Sequence, residues 1–99
     1  MLKHVVAWKV ADAPSPEGQK TIASIVAGLE SLVGVVPSIR ALSVGPSVVT
    51  GPNHWDLGLV VDFDDEAGLE AYQVHPEHQK VAAHIRSVVS EQAAVDFLV

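Results

Sequence analysis

The stretch AYQVHPEHQK, residues 71–80, holds the one tyrosine of the chain and two of its five histidines. Imidazole changes charge near neutral pH, so two of them beside a phenol raise the question of acid–base chemistry. Counting from His78 at helical spacing gives Ala82, Ile85 and Val89, the apolar positions of the run that follows. His78 is therefore expected to point inward, close to a helix N-terminus. A helix N-terminus disfavours added positive charge, so the ring is expected to be neutral and able to act as a general base. Tyr72 lies three residues after Leu69 and is expected to turn inward as well. An inward phenol requires a hydrogen-bond partner, which His78 would supply directly or through a ligand. The plainer alternatives are a satisfied core histidine and a tyrosine that packs with its hydroxyl at the rim.

His75 precedes Pro76, which biases its backbone toward extended conformations. Pro76 suits a first helical turn. HPEH thus reads chiefly as a helix start capped by His75. A metal bound by His75 and His78 would need a third ligand. Glu77 and Asp96 offer no converging geometry, and zinc wants three or four donors, so neither metal nor cofactor is expected. His4 shares a strand face with Val6 and Trp8 and can reach the interior. Asp96, inside the final AVDFLV, would need a donor if it faces inward, and a histidine is the natural one. His84 falls off the apolar stripe and His54 sits in a loop; neither is given a role. No G-x-S-x-G elbow or phosphate loop occurs, and the absence of cysteine excludes thiol chemistry and disulfides.

The elements that must position these residues follow from periodicity. Leu2 to Val10 alternates as a strand, with Leu2, His4, Val6, Trp8 and Val10 on one face and Lys3, Val5, Ala7 and Lys9 on the other. Ser15 and Pro16 mark a helix start. The helix is expected to reach Val33, with Ile22, Ile25, Val26, Leu29, Leu32 and Val33 on its apolar stripe. Gly34 and Pro37 end it. Strands are expected over 39–44 and 55–63. A short helix capped by Asp64 or Asp65 covers 66–73, a further helical run spans 76–89, and a last strand lies near 94–99. The order β-α-β-β-α-β, with the second α in two pieces, defines one ferredoxin-like α+β domain over residues 1–99. Its four-stranded antiparallel sheet carries helices on one face. A pocket between helices and sheet would be walled by Ile22, Ile25, Val26 and Leu29, with Trp8, Leu59 or Val60, and Ile85 opposite.

The formal charge of −6 weighs against nucleic-acid binding. No long apolar run suggests a membrane span or a leader, so a cytoplasmic protein is expected. With 48% hydrophobic residues and only 18% charged, the sheet face left bare by the helices is largely apolar, whether it is the side of Val5 and Ala7 or that of Trp8. A homodimer packed through that open face resolves the exposure.

KHVVAWKV at the start, YQVHPEHQKV after the short helix and VDFLV at the end occur together. In this combination the chain resembles the stress-responsive A/B barrel domain family over essentially its whole length. The resemblance implies a dimeric α+β barrel, in a family whose members mostly have no established chemistry. The second half is also similar to the plant polyketide cyclases among them, which close a ring by aldol condensation without metal or cofactor. That likeness implies His78 as the catalytic base, Tyr72 as its partner and His4 in the pocket. Those cyclases carry a pocket tyrosine on the first helix, and here that helix has none. Related small barrels include cofactor-free monooxygenases and isomerases. The leading expectation is a protein that binds a small apolar ligand. The alternatives are a cyclase-like or isomerase-like enzyme using His78 and Tyr72, and a cofactor-free monooxygenase. Trp8, Ile25, Leu29 and Asp96 complete the expected pocket.

Overall fold

The computed structural model describes residues 1–99. Seven elements follow one another: β1 (Leu2–Val10), α1 (Pro16–Glu30), β2 (Ala41–Pro46), β3 (Leu57–Phe63), α2 (Glu66–Val74), α3 (Pro76–Val88) and β4 (Val89–Leu98). All strand pairings are antiparallel, in the order β2-β3-β1-β4. This is the ferredoxin-like α+β fold. The alternation of β1 decides which face is covered. Leu2, His4, Val6, Trp8 and Val10 are all buried, and the residues between them are not. On β3, Leu57, Leu59, Val61 and Phe63 continue the same face. Ile22, Ile25 and Leu29 of α1, Tyr72 of α2 and Ile85 of α3 close over it. Burying each large apolar side chain contributes roughly 1.5–3 kcal/mol, so this one face supplies most of the driving force.

The uncovered face is therefore that of Val5 and Ala7. Register sets Val60, Val5 and Val95 in one row, Gly58, Ala7 and Ala93 in the next, and Asp62, Lys3 and Phe97 in a third. Val60 is 37%, Val95 56% and Phe97 43% exposed. The sole charged pair among these rows is Lys3–Asp62, whose Nζ and Oδ1 are 2.8 Å apart.

Several boundaries differ from the sequence expectation. α1 stops at Glu30, where the Ser31 N–H bonds Ala27 O and its hydroxyl donates to Gly28 O at 2.6 Å. Residues beyond follow turns, so Val33 is 55% exposed while Val36 is buried in its place. β2 begins two residues later than periodicity suggests and runs on to Pro46, paired with Leu57. Trp55 lies outside β3, half-buried, with Lys9 Nζ 5.1 Å from its ring centroid. Asp56 closes the sheet end instead: its N–H donates to Trp8 O at 2.9 Å, and its carboxylate accepts from the Val10 N–H at 2.8 Å. β4 starts at Val89 rather than near Ala94. The polar run Ser90, Glu91 and Gln92 lacks a strand pattern of its own and is drawn into the sheet by pairing of Glu91 and Gln92 with Lys9 and Trp8 of β1.

Candidate functional site

Three elements meet where the histidines and the tyrosine were expected to converge. On β1 and β4, register places His4 opposite Asp96, Val6 opposite Ala94 and Trp8 opposite Gln92. Nδ1 of His4 lies 2.5 Å from Oδ1 of Asp96. An ionised carboxylate only accepts, so Nδ1 carries the hydrogen and Nε2 is left free. Trp8 Nε1 donates to Gln92 Oε1 at 2.9 Å, which fixes the indole against the same wall.

α2 delivers Tyr72. Its start is capped by Asp65, which accepts from the Gly68 N–H at 2.9 Å. Asp64 instead pairs with Arg40. Tyr72 is 1% exposed, and its ring packs on Phe63, His4 and His78 at centroid distances of 5.1, 6.0 and 4.0 Å. Burial pushes its phenol up to about 12, so it remains a neutral donor across the ordinary pH range.

His75 joins α2 to α3. Its extended backbone ends one helix, and its Nδ1 accepts from the Glu77 N–H at 3.1 Å to cap the next. That nitrogen is spent on the cap, and nowhere do three His, Cys, Asp or Glu side chains gather as a metal cluster requires. One turn on, His78 is half-buried over Tyr72. Its Nδ1 lies 3.3 Å from the Gln73 carbonyl. A carbonyl cannot donate, so Nδ1–H is the donor and Nε2 keeps its lone pair. Burial is the main cause that lowers the pKa of this ring, with the charges of His4, Arg86 and His75 adding to it against the Gln73 hydrogen bond. The ring is neutral at pH 7.

These groups surround one cavity of about 250 Å³ between α3 and the β1–β4 half of the sheet. Trp8, Leu29, Leu59 and Ile85 form its apolar lining, as expected. His4, Tyr72, His78 and Asp96 reach it too. Ile25 does not: it is fully buried in the α1–sheet core. Ile22 and Val26 also stay outside the lining, and Val60 points to the opposite face of the sheet. The wall expected from α1 is reduced to Leu29. The Tyr72 hydroxyl and the Nε2 atoms of His4 and His78 have no partner within the chain, yet none is sealed from solvent; Ser38 Oγ is the one buried side-chain polar atom left unpaired. All three side chains line the cavity. Asp96 orients His4 and not His78, whose tautomer is set by backbone. His84, against Ser24 at 3.0 Å, and His54 stay exposed elsewhere.

Sequence reasoning missed Arg86, Gln73 and Gln92, which also line the cavity. Arg86 follows His78 by two helical steps of four, through Ala82, and that spacing was readable. Gln73 acts through its carbonyl, which no side-chain pattern signals.

A ferredoxin-like subunit with a polar-tipped cavity under its second helical pair defines a class of small α+β barrel proteins. The model of the stress-responsive A/B barrel domain matches residues 2–99, and the chain belongs to that family. A dimeric protein of unknown function from Bacteroides fragilis is 27% identical, with a TM-score of 0.87 over 99% of this chain and 95% of its own. A dimeric ferredoxin-like protein of unknown function from Thermobifida fusca is 24% identical, with a TM-score of 0.84 over 99% of this chain and 90% of its own. Hydroxynitrile lyase from Passiflora edulis shares the fold at 16% identity and a TM-score of 0.82, over 99% and 92% of the two chains. Comparison with curated proteins gives no match. No helix is long and apolar enough to cross a membrane.

Proposed function

We propose that the cavity binds a small, largely apolar carbonyl compound and that His78 and Tyr72 enolise it without a cofactor, in the manner of a cyclase or isomerase. The observation that carries this reading is that Tyr72 and a neutral His78 line one cavity with their rings 4.0 Å apart, and neither the phenol hydroxyl nor His78 Nε2 is taken up by a hydrogen bond within the chain. His78 Nε2 takes a proton from the carbon next to the carbonyl. The C–H pair becomes the new C=C bond, and negative charge gathers on the carbonyl oxygen. Tyr72, held neutral, donates a hydrogen bond to that oxygen. The imidazolium then returns the proton, either to another carbon or to the alkoxide formed when the enolate attacks a second carbonyl. Leu29, Leu59, Trp8 and Ile85 supply the dry walls that strengthen both interactions.

The test is deuterium uptake next to the carbonyl of one-ring methyl ketones in heavy water, followed by NMR. The intact chain is expected to exchange them faster than free imidazole at equal concentration. H78A should abolish the excess, and Y72F should lower it about tenfold or more. Ketones that bind with exchange no faster than in H78A leave a binding protein, the second reading, which the same cavity supports.

The same proposal takes the active form as a homodimer packed through the face of Val5, Ala7, Val60, Val95 and Phe97. Two relatives described as dimeric support this, as does an apolar sheet face that no element of the chain covers.

A further inference from the structure

Of the six Lys and Arg side chains, only Lys20 and Arg86 are without a carboxylate partner, and of these two only Arg86 lines the cavity. Lys3, Lys9, Arg40 and Lys80 are each paired with a carboxylate, and His4 occupies Asp96, the one acid lining the cavity beside Tyr72 and His78. Arg86 enters none of these pairs and lines that cavity. We propose that Arg86 is the anchor for a carboxylate on the ligand, so that the cavity takes a one-ring or similarly short monocarboxylate whose carbonyl lies at the far end, against Tyr72 and His78. This rests on the cavity being a ligand site, as proposed above, and specifies what fills it.

The geometry sets the length of that ligand. His78 and Arg86 are eight residues apart on one helix, so their Cα atoms lie roughly 12 Å apart along its axis. Ala82 and Ile85 line the interval with apolar surface. An occupant that meets both ends has an acidic head, a flat or aliphatic middle and a carbonyl tip. A volume of about 250 Å³ holds one ring with two substituents and little more. A guanidinium matches a carboxylate with two parallel hydrogen bonds, and a lysine ammonium does not. Gln92, whose Oε1 already accepts from Trp8, still has amide hydrogens to offer the same anion. The neighbouring Asp96 adds a specificity element: it repels a second acid at the tip, so a dicarboxylate is disfavoured.

The test compares 4-acetylbenzoate with its neutral isostere 4-acetylbenzamide by calorimetric or NMR titration. The acid is expected to bind about tenfold or more tightly than the amide. R86A should bring the two within about threefold of each other, by weakening the acid far more than the amide, and an unchanged circular dichroism spectrum and urea midpoint show that the variant is folded. R86K should retain part of the preference. Equal binding of acid and amide by the intact chain, or a preference that survives R86A, overturns the carboxylate assignment and leaves the enolisation reading standing. Failure of both compounds to bind overturns the ligand site itself, and this assignment with it.

Discussion

The single tyrosine makes the protonation state of the site directly readable. Tyr72 is raised from 10.0 to about 12 by burial. Between those values the unfolded chain releases the phenolic proton and the folded chain holds it, so stability is lost as pH rises from 10 through 12. Near 1.4 kcal/mol per pH unit, the loss is on the order of 2–3 kcal/mol. A near-ultraviolet titration of phenolate absorbance is expected to show one transition close to 12. A midpoint at 10 would mean that the ring is solvated and the site open. Y72F should remove this part of the alkaline destabilisation. His78 moves the other way. Its pKa lies below the ordinary 6.5 because burial disfavours the charged ring. The base form therefore persists below pH 6.5, and the acid limb of a rate profile should fall there rather than at 6.5. Stability follows the same sign: below 6.5 the unfolded chain takes up a proton that the folded chain resists, so acidification destabilises the fold.

At the scale of elements, the start of α1 is the most constrained point. Asp12 adopts a φ of 53°, and its carbonyl accepts from both the N–H and the hydroxyl of Ser15. Ser15 in turn caps the helix by accepting from the Gly18 N–H at 3.0 Å. A Cβ at Gly18 would sit 2.0 Å from Asp12 O. G18A must therefore displace the whole 11–15 loop and is expected to cost about 3 kcal/mol or more, against about 1 kcal/mol for S15A. Urea denaturation midpoints separate the two. If G18A were as mild as S15A, the loop would not be locked to the helix. α1 also carries Leu29 into the cavity, so G18A should weaken ligand binding as well. The α2–α3 junction performs the analogous task for the reactive pair. His75 caps α3 so that Tyr72, at the end of one helix, and His78, at the start of the next, stack against each other.

At the scale of the molecule, the open sheet face decides assembly. Val60 projects outward from the middle of that face, away from the core. V60D should therefore leave the subunit folded while putting a charge where the second copy packs. Sedimentation at micromolar concentration is expected to show a dimer for the intact chain and a monomer for V60D. A V60D dimer would place the interface elsewhere. H78A, on the opposite face, should leave the dimer intact.

Sequence alone determined the element order, the two faces into which β1 and β3 divide, though not which of the two the helices cover, and the inward direction of Tyr72 and His78. These are properties of local period, because side chains two apart on a strand or three to four apart on a helix must share a side. His75 as a cap was legible from the proline after it, and the cap of α2 was narrowed to Asp64 or Asp65, between which the pairing of Asp64 with Arg40 decides. Tertiary structure decided what period cannot encode. Pairing with β1 extended β4 back to Val89 and brought Asp96 to His4 across 92 positions of sequence. Packing sank Ile25 into the core and left Leu29 at the cavity, although both lie on one helical stripe. It also left Arg86 beside that cavity without a partner. A stripe records which residues face the sheet. Which of them meet solid core and which meet space depends on where the neighbouring helix lies, and only the assembled fold sets that.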